Sequence, residues 1–299
     1  MRTSATAVPQ LLLALAIAAV STSAPLIRWA EPAPPLLVAA GRVCLAAILL
    51  SLIAGRSLGQ LAGLPRRQLL LCAASGALLA AHFGVWITSL YYTSTAASVA
   101  LVATTPAFSG LLAWMFLGEG VARREAIGIG LAALGCVVLA SGDLGAGGEG
   151  ALVGDALALG GAATAGGYYV VGRHMRATLP LPAYLAAVNL VAGALLAAAL
   201  AVSGGPVRGF STGDYVAIAG CALVPSVVGH SLLNWTVRRV RVHLVALAGL
   251  GEPIGASLLT WLIFAEQPPI HAAVGGLVIL AGIALGFVPL DRRAGRPPP

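Results

Sequence analysis

PAFSGLLAWMFLGEGVARREAIGIGLAALG (Pro106–Gly135) and PIGASLLTWLIFAEQPPIHAAVGGLVILAG (Pro253–Gly282) repeat one pattern at a shift of 147 residues. Pro106 falls on Pro253, Leu111 on Leu258, Leu112 on Leu259 and Trp114 on Trp261, without a gap. Glu119 falls on Glu266, Ala126 on Ala273, Gly128 on Gly275 and Gly135 on Gly282. Leu and Ala matches come cheaply in an apolar chain. The Pro, Trp, Glu and two Gly matches do not, and they mark an internal duplication.

The rest of the chain is of the same apolar kind. Of 299 residues, 59% are hydrophobic and 9% are charged. A water-soluble domain carries about 25% charged residues. So few charges cannot cover a water-facing surface, so most of this surface must face lipid. Ten apolar runs approach the ~20 residues that span the hydrocarbon. They lie at 10–29, 35–54, 69–90, 96–117, 125–141, 152–172, 183–203, 214–236, 244–264 and 272–289. The runs are continuously apolar, whereas barrel strands would alternate. The predicted fold is therefore all-α and integral to the membrane, with ten transmembrane helices.

The basic residues give an orientation. All 17 are arginine. With the N-terminus in the cytoplasm, fourteen fall on the cytoplasmic side, from Arg2 to Arg296, against Arg28 and Arg208 outside. Arg42 lies inside the second run. This asymmetry follows the positive-inside rule and places both termini in the cytoplasm. It also explains the +7 net charge without nucleic acid. Each copy of the duplicated unit holds five runs, an odd number, so the second enters the membrane upside down. The expected domains are residues 1–145 and 146–291, two inverted five-helix repeats joined by a Gly-rich linker near 141–151. A Pro-rich tail, 292–299, is expected to be disordered in the cytoplasm. Inverted repeats are a device of secondary transporters, with a site at the midplane between the halves.

Several function classes find no support. There is no H-E-x-x-H, no G-x-S-x-G and no Asp-rich pair, so an enzyme is not expected. Cys44, Cys72, Cys136 and Cys221 form no C-x-x-C pair and read as packing residues. No cofactor or metal is expected. The run Leu11–Val20 followed by Ser21–Ala24 imitates a secretory signal, but Pro25 would follow the cut, and it reads as the first helix.

The stretch Tyr91–Leu139 (YYTSTAASVALVATTPAFSGLLAWMFLGEG…) resembles the first half-repeat of EamA-type transporters in the drug/metabolite transporter superfamily. Leu247–Leu285 (LAGLGEPIGASLLTWLIFAEQPP…) resembles the second. Arg42 after PPLLVAAG, and GDALAL (Gly154–Leu159), fit as well. The resemblance implies a central cavity formed mainly by helices 1, 3, 4, 6, 8 and 9, alternating access, and export of amino acids, other small metabolites or toxic organic compounds across a cell (inner) membrane. The usual Trp-Gly of helix 1 is replaced by Ser21-Thr22-Ser23, which makes Ser21 a candidate contact. The second repeat has Ala265-Glu266 where the first has Gly118-Glu119. A passive channel or a membrane scaffold is the competing reading. The expected partners are a small-molecule substrate, the lipid bilayer and protons as a coupling species, in a monomer or a homodimer.

Ionisable residues deep in a membrane cost at least ~2.5–3.5 kcal/mol on insertion scales, so each needs a reason. Glu252 lies eight residues into helix 9, ~12 Å deep at 1.5 Å per residue. Pro253 follows it and removes a backbone donor. A carboxylate beside a broken helix suits a substrate amine or a proton; a protonated or paired Glu capping the break is the alternative. Pro106, with Thr104 and Thr105 beside it, marks the equivalent point of helix 4 and is expected to be a kink healed by Thr hydroxyls. His82 and Trp86 share a face of helix 3, and His230 and Asn234 share one of helix 8. Both pairs are cavity candidates. Arg42 is expected to pair with helix-end carbonyls or an acid, or else to bind a substrate carboxylate. Glu119, Glu266 and the pair Arg28–Glu31 read as interface or gate contacts, Asp155 as a helix cap, and Tyr168, Tyr169 and Trp235 as interfacial belt residues.

Overall fold

The computed structural model describes residues 4–93, 98, 101–141, 150–265 and 270–287. The described residues are helical throughout, with no strand among them. The expected tail 292–299 and most of the 141–151 linker lie outside them, as does Glu266.

The first half holds α1 (Ser4–Val20), α2 (Ser23–Trp29), α3 (Pro35–Ala54), a 3-10 segment (Gly55–Gly63), α4 (Arg66–Ser89), α5 (Thr105–Leu117) and α6 (Arg123–Ala140). The second holds α7 (Ala151–Met175), α8 (Leu181–Ser203), α9 (Thr212–Cys221), a π segment (Ala222–His230), α10 (Ser231–Thr236), α11 (Val242–Gly249), α12 (Glu252–Phe264) and α13 (Ile270–Phe287). Local sequence sets these limits. Pro lies in the first turns of α3, α5, α8 and α12, where its missing N–H costs nothing. Ser211 and Asp214 cap α9 reciprocally: Asp214 N donates to Ser211 Oγ at 3.2 Å and Ser211 N to Asp214 Oδ2 at 2.7 Å. Gly118 and Gly204 close α5 and α8 in the left-handed conformation.

Among the described residues, six helical stretches are long and apolar enough to cross a bilayer: Val8–Trp29, Pro35–Gly63, Arg66–Ser89, Leu181–Ser203, Thr212–Thr236 and Val242–Ile263. Thr105–Leu117 and Ala273–Phe287 are shorter apolar helices. Large apolar side chains such as Leu52, Phe116, Leu262 and Leu277 point outward, while the interior is rich in Ala and Gly. Small residues let helices approach closely where lipid, not water, surrounds the bundle.

The shift of 147 found in the sequence holds for the helix limits. Thr105–Leu117 becomes Glu252–Phe264, and Arg123–Ala140 becomes Ile270–Phe287, residue for residue. Two equivalent helices, α6 and α13, also pack on each other. A Cβ on Gly128 would stand 2.7 Å from Gly282 O, and one on Gly135 would stand 2.8 Å from Gly275 O. As one number rises the other falls, so the two helices run antiparallel. The glycines matched across the repeat are thus points where its two copies touch.

Four of the expected spans are interrupted. The first breaks at Ser21–Thr22 and the eighth passes through the π segment, which contains Pro225. The fourth and ninth break at Thr104 and at Leu250–Gly251. There, Thr104 N donates to Leu101 O (3.0 Å) and Gly251 N to Ala248 O (2.9 Å), again 147 residues apart. The sequence predicted a kink at Pro106. The structure has a stop and restart, because a proline in the first turn begins a helix more readily than it bends one.

Candidate functional site

These interruptions surround one cavity of about 110 Å³. Of the nine candidate residues, His82, Trp86, Thr105, His230, Glu252 and Pro253 line it. Ser21, Pro106 and Asn234 do not. Ser21 is buried beside the break, and its Oγ donates to Ile17 O at 2.8 Å and to Glu252 O at 3.3 Å. Pro106 sits just behind Thr105. Asn234 is fully buried, donating through Nδ2 to Tyr168 Oη (2.6 Å) and to His230 O (2.8 Å).

The wall is aromatic. His82 stacks on Trp86 with ring centroids 5.8 Å apart and planes 4° apart. Their spacing of four residues on α4 brings the rings together. Phe83 meets His230 edge-on at 5.3 Å. His82 Nδ1 lies 2.9 Å from Gly161 O. A carbonyl can only accept, so Nδ1 carries the proton and, in the neutral ring, Nε2 is left as an acceptor. Among the described residues, Trp86 Nε1 and His230 Nδ1 are buried and have no hydrogen-bond partner. Unpaired buried polar atoms are costly, and these two lie on residues that line the cavity.

Glu252 supplies the charge. It opens α12 and is partly buried. Among the described residues, its carboxylate accepts no hydrogen bond and joins no ion pair, so the expected alternative of a carboxylate capping the break is not what is seen. Thr105, its counterpart in α5, instead donates to Val102 O at 2.7 Å.

Arg42 corrects a further expectation. It is fully buried, and among the described residues it bonds to neither an acid nor a helix-end carbonyl, Glu252 acting on it only at longer range. Nη1 donates to Ser23 Oγ (2.9 Å), Nε and Nη2 donate to Ser226 Oγ (3.1 and 3.0 Å), and the guanidinium lies 4.2 Å from the Phe83 ring centroid. Asp155 does not cap its helix. It is the fifth residue of α7 and accepts from Thr93 Oγ1 at 2.8 Å. Tyr168 is no belt residue: it is 2% exposed and bonded to Asn234. Tyr169 lines the cavity instead of a lipid interface. Trp235 is partly buried, with Arg239 3.5 Å over its ring. Sequence reasoning missed Phe83, Tyr169 and Ser226. Pro225, a mid-run proline like those at the other breaks, was the available signal for Ser226.

At the Arg-rich end, charged contacts tie the halves together. Glu119 pairs with Arg173 at 2.7 Å and accepts from Val242 N at 3.3 Å. Glu125 is buried, accepts from Ala122 N (2.7 Å), lies 2.9 Å from His243 Nε2 and pairs with Arg241. Both acids belong to the first half, and Arg173, Arg241 and His243 to the second. Among the described residues, no group of three His, Cys, Asp or Glu side chains could hold a metal.

The profile of the "EamA-like transporter family" matches residues 8–141 and 152–288. The chain belongs to the EamA-like transporter family. A curated relative is the "Probable terminal-alkyne amino-acid exporter" of Streptantibioticus cattleyicolor, 31% identical over 191 residues, or 62% of this chain. The match spans 61% of that protein's length. A solved crystal structure with 18% identity has a TM-score of 0.77, covering 93% of this chain and 97% of the other. At that identity it shows a shared fold only. Membership of this family and the apolar helices support a multi-pass membrane protein.

Proposed function

We propose that this EamA-like chain is a secondary transporter that exports small metabolites, amino-acid-like or organic, by alternating access. It crosses the cell (inner) membrane ten times as two inverted five-helix repeats, 1–145 and 146–291, with both termini cytoplasmic. The constant shift of 147 and the antiparallel pairing of α6 with α13 support the inversion. The arginine asymmetry supports the orientation, and the exporter name of the relative supports the direction.

The carrying observation is the Glu252 carboxylate, unpaired at the break of α11 and α12 and facing a cavity walled by His82, Trp86, Phe83 and His230. An ionised carboxylate beside aromatic faces binds an ammonium group by charge and by cation–π contact. The same carboxylate can take a proton when the substrate leaves, which couples the two. The charged contacts between halves at the Arg-rich end close that side, as a carrier requires and a continuous pore does not. Repacking each half about the fixed cavity would then exchange one open side for the other.

The test is substrate–substrate exchange in proteoliposomes across an amino-acid panel. Glu252→Gln keeps the shape and removes the charge, and it is expected to abolish exchange at a normal yield of folded protein. Unchanged exchange would remove Glu252 from the mechanism.

A further inference from the structure

An arginine that sets which way a chain crosses a membrane needs only to stand in water. Arg176, the residue after α7, is instead 5% exposed. Its Nη1 donates to Leu179 O. Among the described residues, its buried Nε has no hydrogen-bond partner, and Nη2 has none either. The Nε–H and Nη2–H bonds of a guanidinium lie side by side on one edge. Arg42 uses that edge on Ser226 Oγ. The same edge is a fork that fits two oxygens of a carboxylate or a phosphate, and a buried donor left unpaired is costly.

The surroundings add positive charge. Arg173, three residues earlier, donates to Val237 O and Val240 O and holds the end of α7 against the turn that follows α10. That turn carries Arg238 and Arg239, both exposed. Burial, and then the charges of these two, push the Arg176 guanidinium down to about 10. The acids of this end are already paired, Glu119 with Arg173 at 2.7 Å and Glu125 with Arg241. Among the described residues, no acid forms an ion pair with Arg176, Arg238 or Arg239. The span Thr212–Thr236 ends two residues before Arg238, so the cluster stands where hydrocarbon gives way to headgroups. Trp235, with Arg239 3.5 Å over its ring, is an aromatic residue at the same level.

We propose that Arg176, Arg238 and Arg239 form a binding site for the phosphate of an anionic phospholipid. Two phosphate oxygens accept from the Nε–Nη2 edge of Arg176. The exposed Arg238 side chain turns aside to admit the headgroup and then donates to it, and Arg239 stays on Trp235 and adds its charge. A zwitterionic headgroup would bring its own ammonium into the cluster and be disfavoured. Basic pockets between helices at headgroup depth suit anionic lipids. The site joins the ends of α7 and α10 and does not depend on what the cavity carries.

The probes are dioleoylphosphatidylglycerol, dioleoylphosphatidylcholine and inorganic phosphate, each titrated into the purified full chain in detergent at about 0.15 M salt, where exposed charges are screened. Binding is read as a saturable rise in melting temperature and as retained lipid in native mass spectrometry. Phosphatidylglycerol is expected to bind at least about tenfold more tightly than phosphatidylcholine, and inorganic phosphate to give no protection. Arg176→Gln is expected to weaken phosphatidylglycerol about tenfold or more, the scale of a charge-assisted fork, and Arg238→Gln about fivefold. Arg67→Gln removes an exposed arginine at the start of α4 and is expected to change binding less than about twofold. Should Arg176→Gln fail to fold, Arg238→Gln against Arg67→Gln carries the test.

Equal protection by the two lipids overturns the proposal. So does an equal loss in Arg238→Gln and Arg67→Gln, which would reduce the effect to general attraction between a basic face and an anionic surface. Protection by inorganic phosphate that phosphatidylglycerol does not displace assigns the cluster to a free anion and also overturns it. The exchange assay on Glu252→Gln stands apart from all three results.

Discussion

The two helix breaks share a frame and differ in chemistry. Each follows a hydrogen bond three residues back, each places a proline second in the new helix, and each helix ends thirteen residues on in a left-handed residue. Pro106 cannot bond Val102 O, four residues earlier, and Thr105 Oγ1 takes that carbonyl at 2.7 Å. Pro253 likewise cannot bond Gly249 O. There, among the described residues, no side-chain donor replaces it, and Gly249 lines the cavity. The first break is closed on itself, while the second offers a carboxylate and a carbonyl to whatever binds. Duplication supplied the geometry twice, and the copies differ at one position, Thr105 against Glu252, which under the proposed function makes the second copy the site.

Copying the first break onto the second is the sharpest way to break this comparison. Glu252→Thr is expected to lower transport roughly 10–100-fold, the worth of a charged hydrogen bond of 1.5–3 kcal/mol. Thr105→Val is expected to change transport by about twofold or less, because its hydroxyl serves only its own helix. Rates in proteoliposomes, normalised to folded protein, decide between them. A Thr105→Val loss as large as that of Glu252→Thr would mean that the breaks matter for their shape and not for the carboxylate.

The α6–α13 seam is the next test, because both copies contribute the same residues to it. A Cβ on Gly275 would stand 2.6 Å from Gly135 O, and that obstacle is backbone, which cannot rotate away. Overpacking costs about 1–3 kcal/mol, and Gly275→Val is expected at the upper end, read as a lower melting temperature. Gly130, on the same helix as Gly135, has nothing within 4 Å of such a Cβ. Gly130→Val is the control and should cost little.

Much of this was legible in the sequence. The continuous apolar runs give the helices, because a bilayer leaves little choice of backbone structure. The matched Pro and Gly give the breaks and the seam. Six of nine candidate residues line the cavity because an imidazole, an indole or a carboxylate is too polar to place against lipid without cause. The misses have one physical origin: a residue's angular position on its helix is not fixed by composition. Tyr168 and Tyr169 look like belt residues by depth, yet one binds Asn234 and the other faces the cavity. Arg42 was visible as a buried charge, but its serine partners come from α2 and from a π segment that shifts Ser226 around the axis. Period counting at 3.6 residues cannot anticipate that shift.

A smaller effect is expected at the Arg-rich end. Position 119 is Glu in both copies' frame, as Glu119 and Glu266, and Glu119 pairs with Arg173. Glu119→Gln removes a pair whose side chains are 15% and 26% exposed, worth about 1 kcal/mol at most. Labelling of Ala246→Cys from that end, with the four native cysteines replaced, should therefore quicken roughly fivefold. An unchanged labelling rate would show that this pair does not hold the end closed.

The smallest effect separates the copies at a single backbone angle. α5 ends on Gly118 at φ 68°, and α12 ends on Ala265 at φ 57°. An L-residue in the left-handed region costs roughly 1–2 kcal/mol, so the second copy carries strain that the first avoids. Nothing lies within 4 Å of a Cβ at Gly118, so the penalty there is conformational and not steric. Glycine returns part of the gain through its freer unfolded chain, about 0.4–1 kcal/mol. The balance gives Ala265→Gly a stabilisation of about 0.5–1 kcal/mol and Gly118→Ala a loss of similar size, each a shift of roughly 1–3 °C in melting temperature. If the two ends are independent, the double swap should melt with the wild type. A double swap that melts lower would mean that Ala265 makes a contact worth keeping, and that the residue closing α12 had diverged for packing rather than drifted.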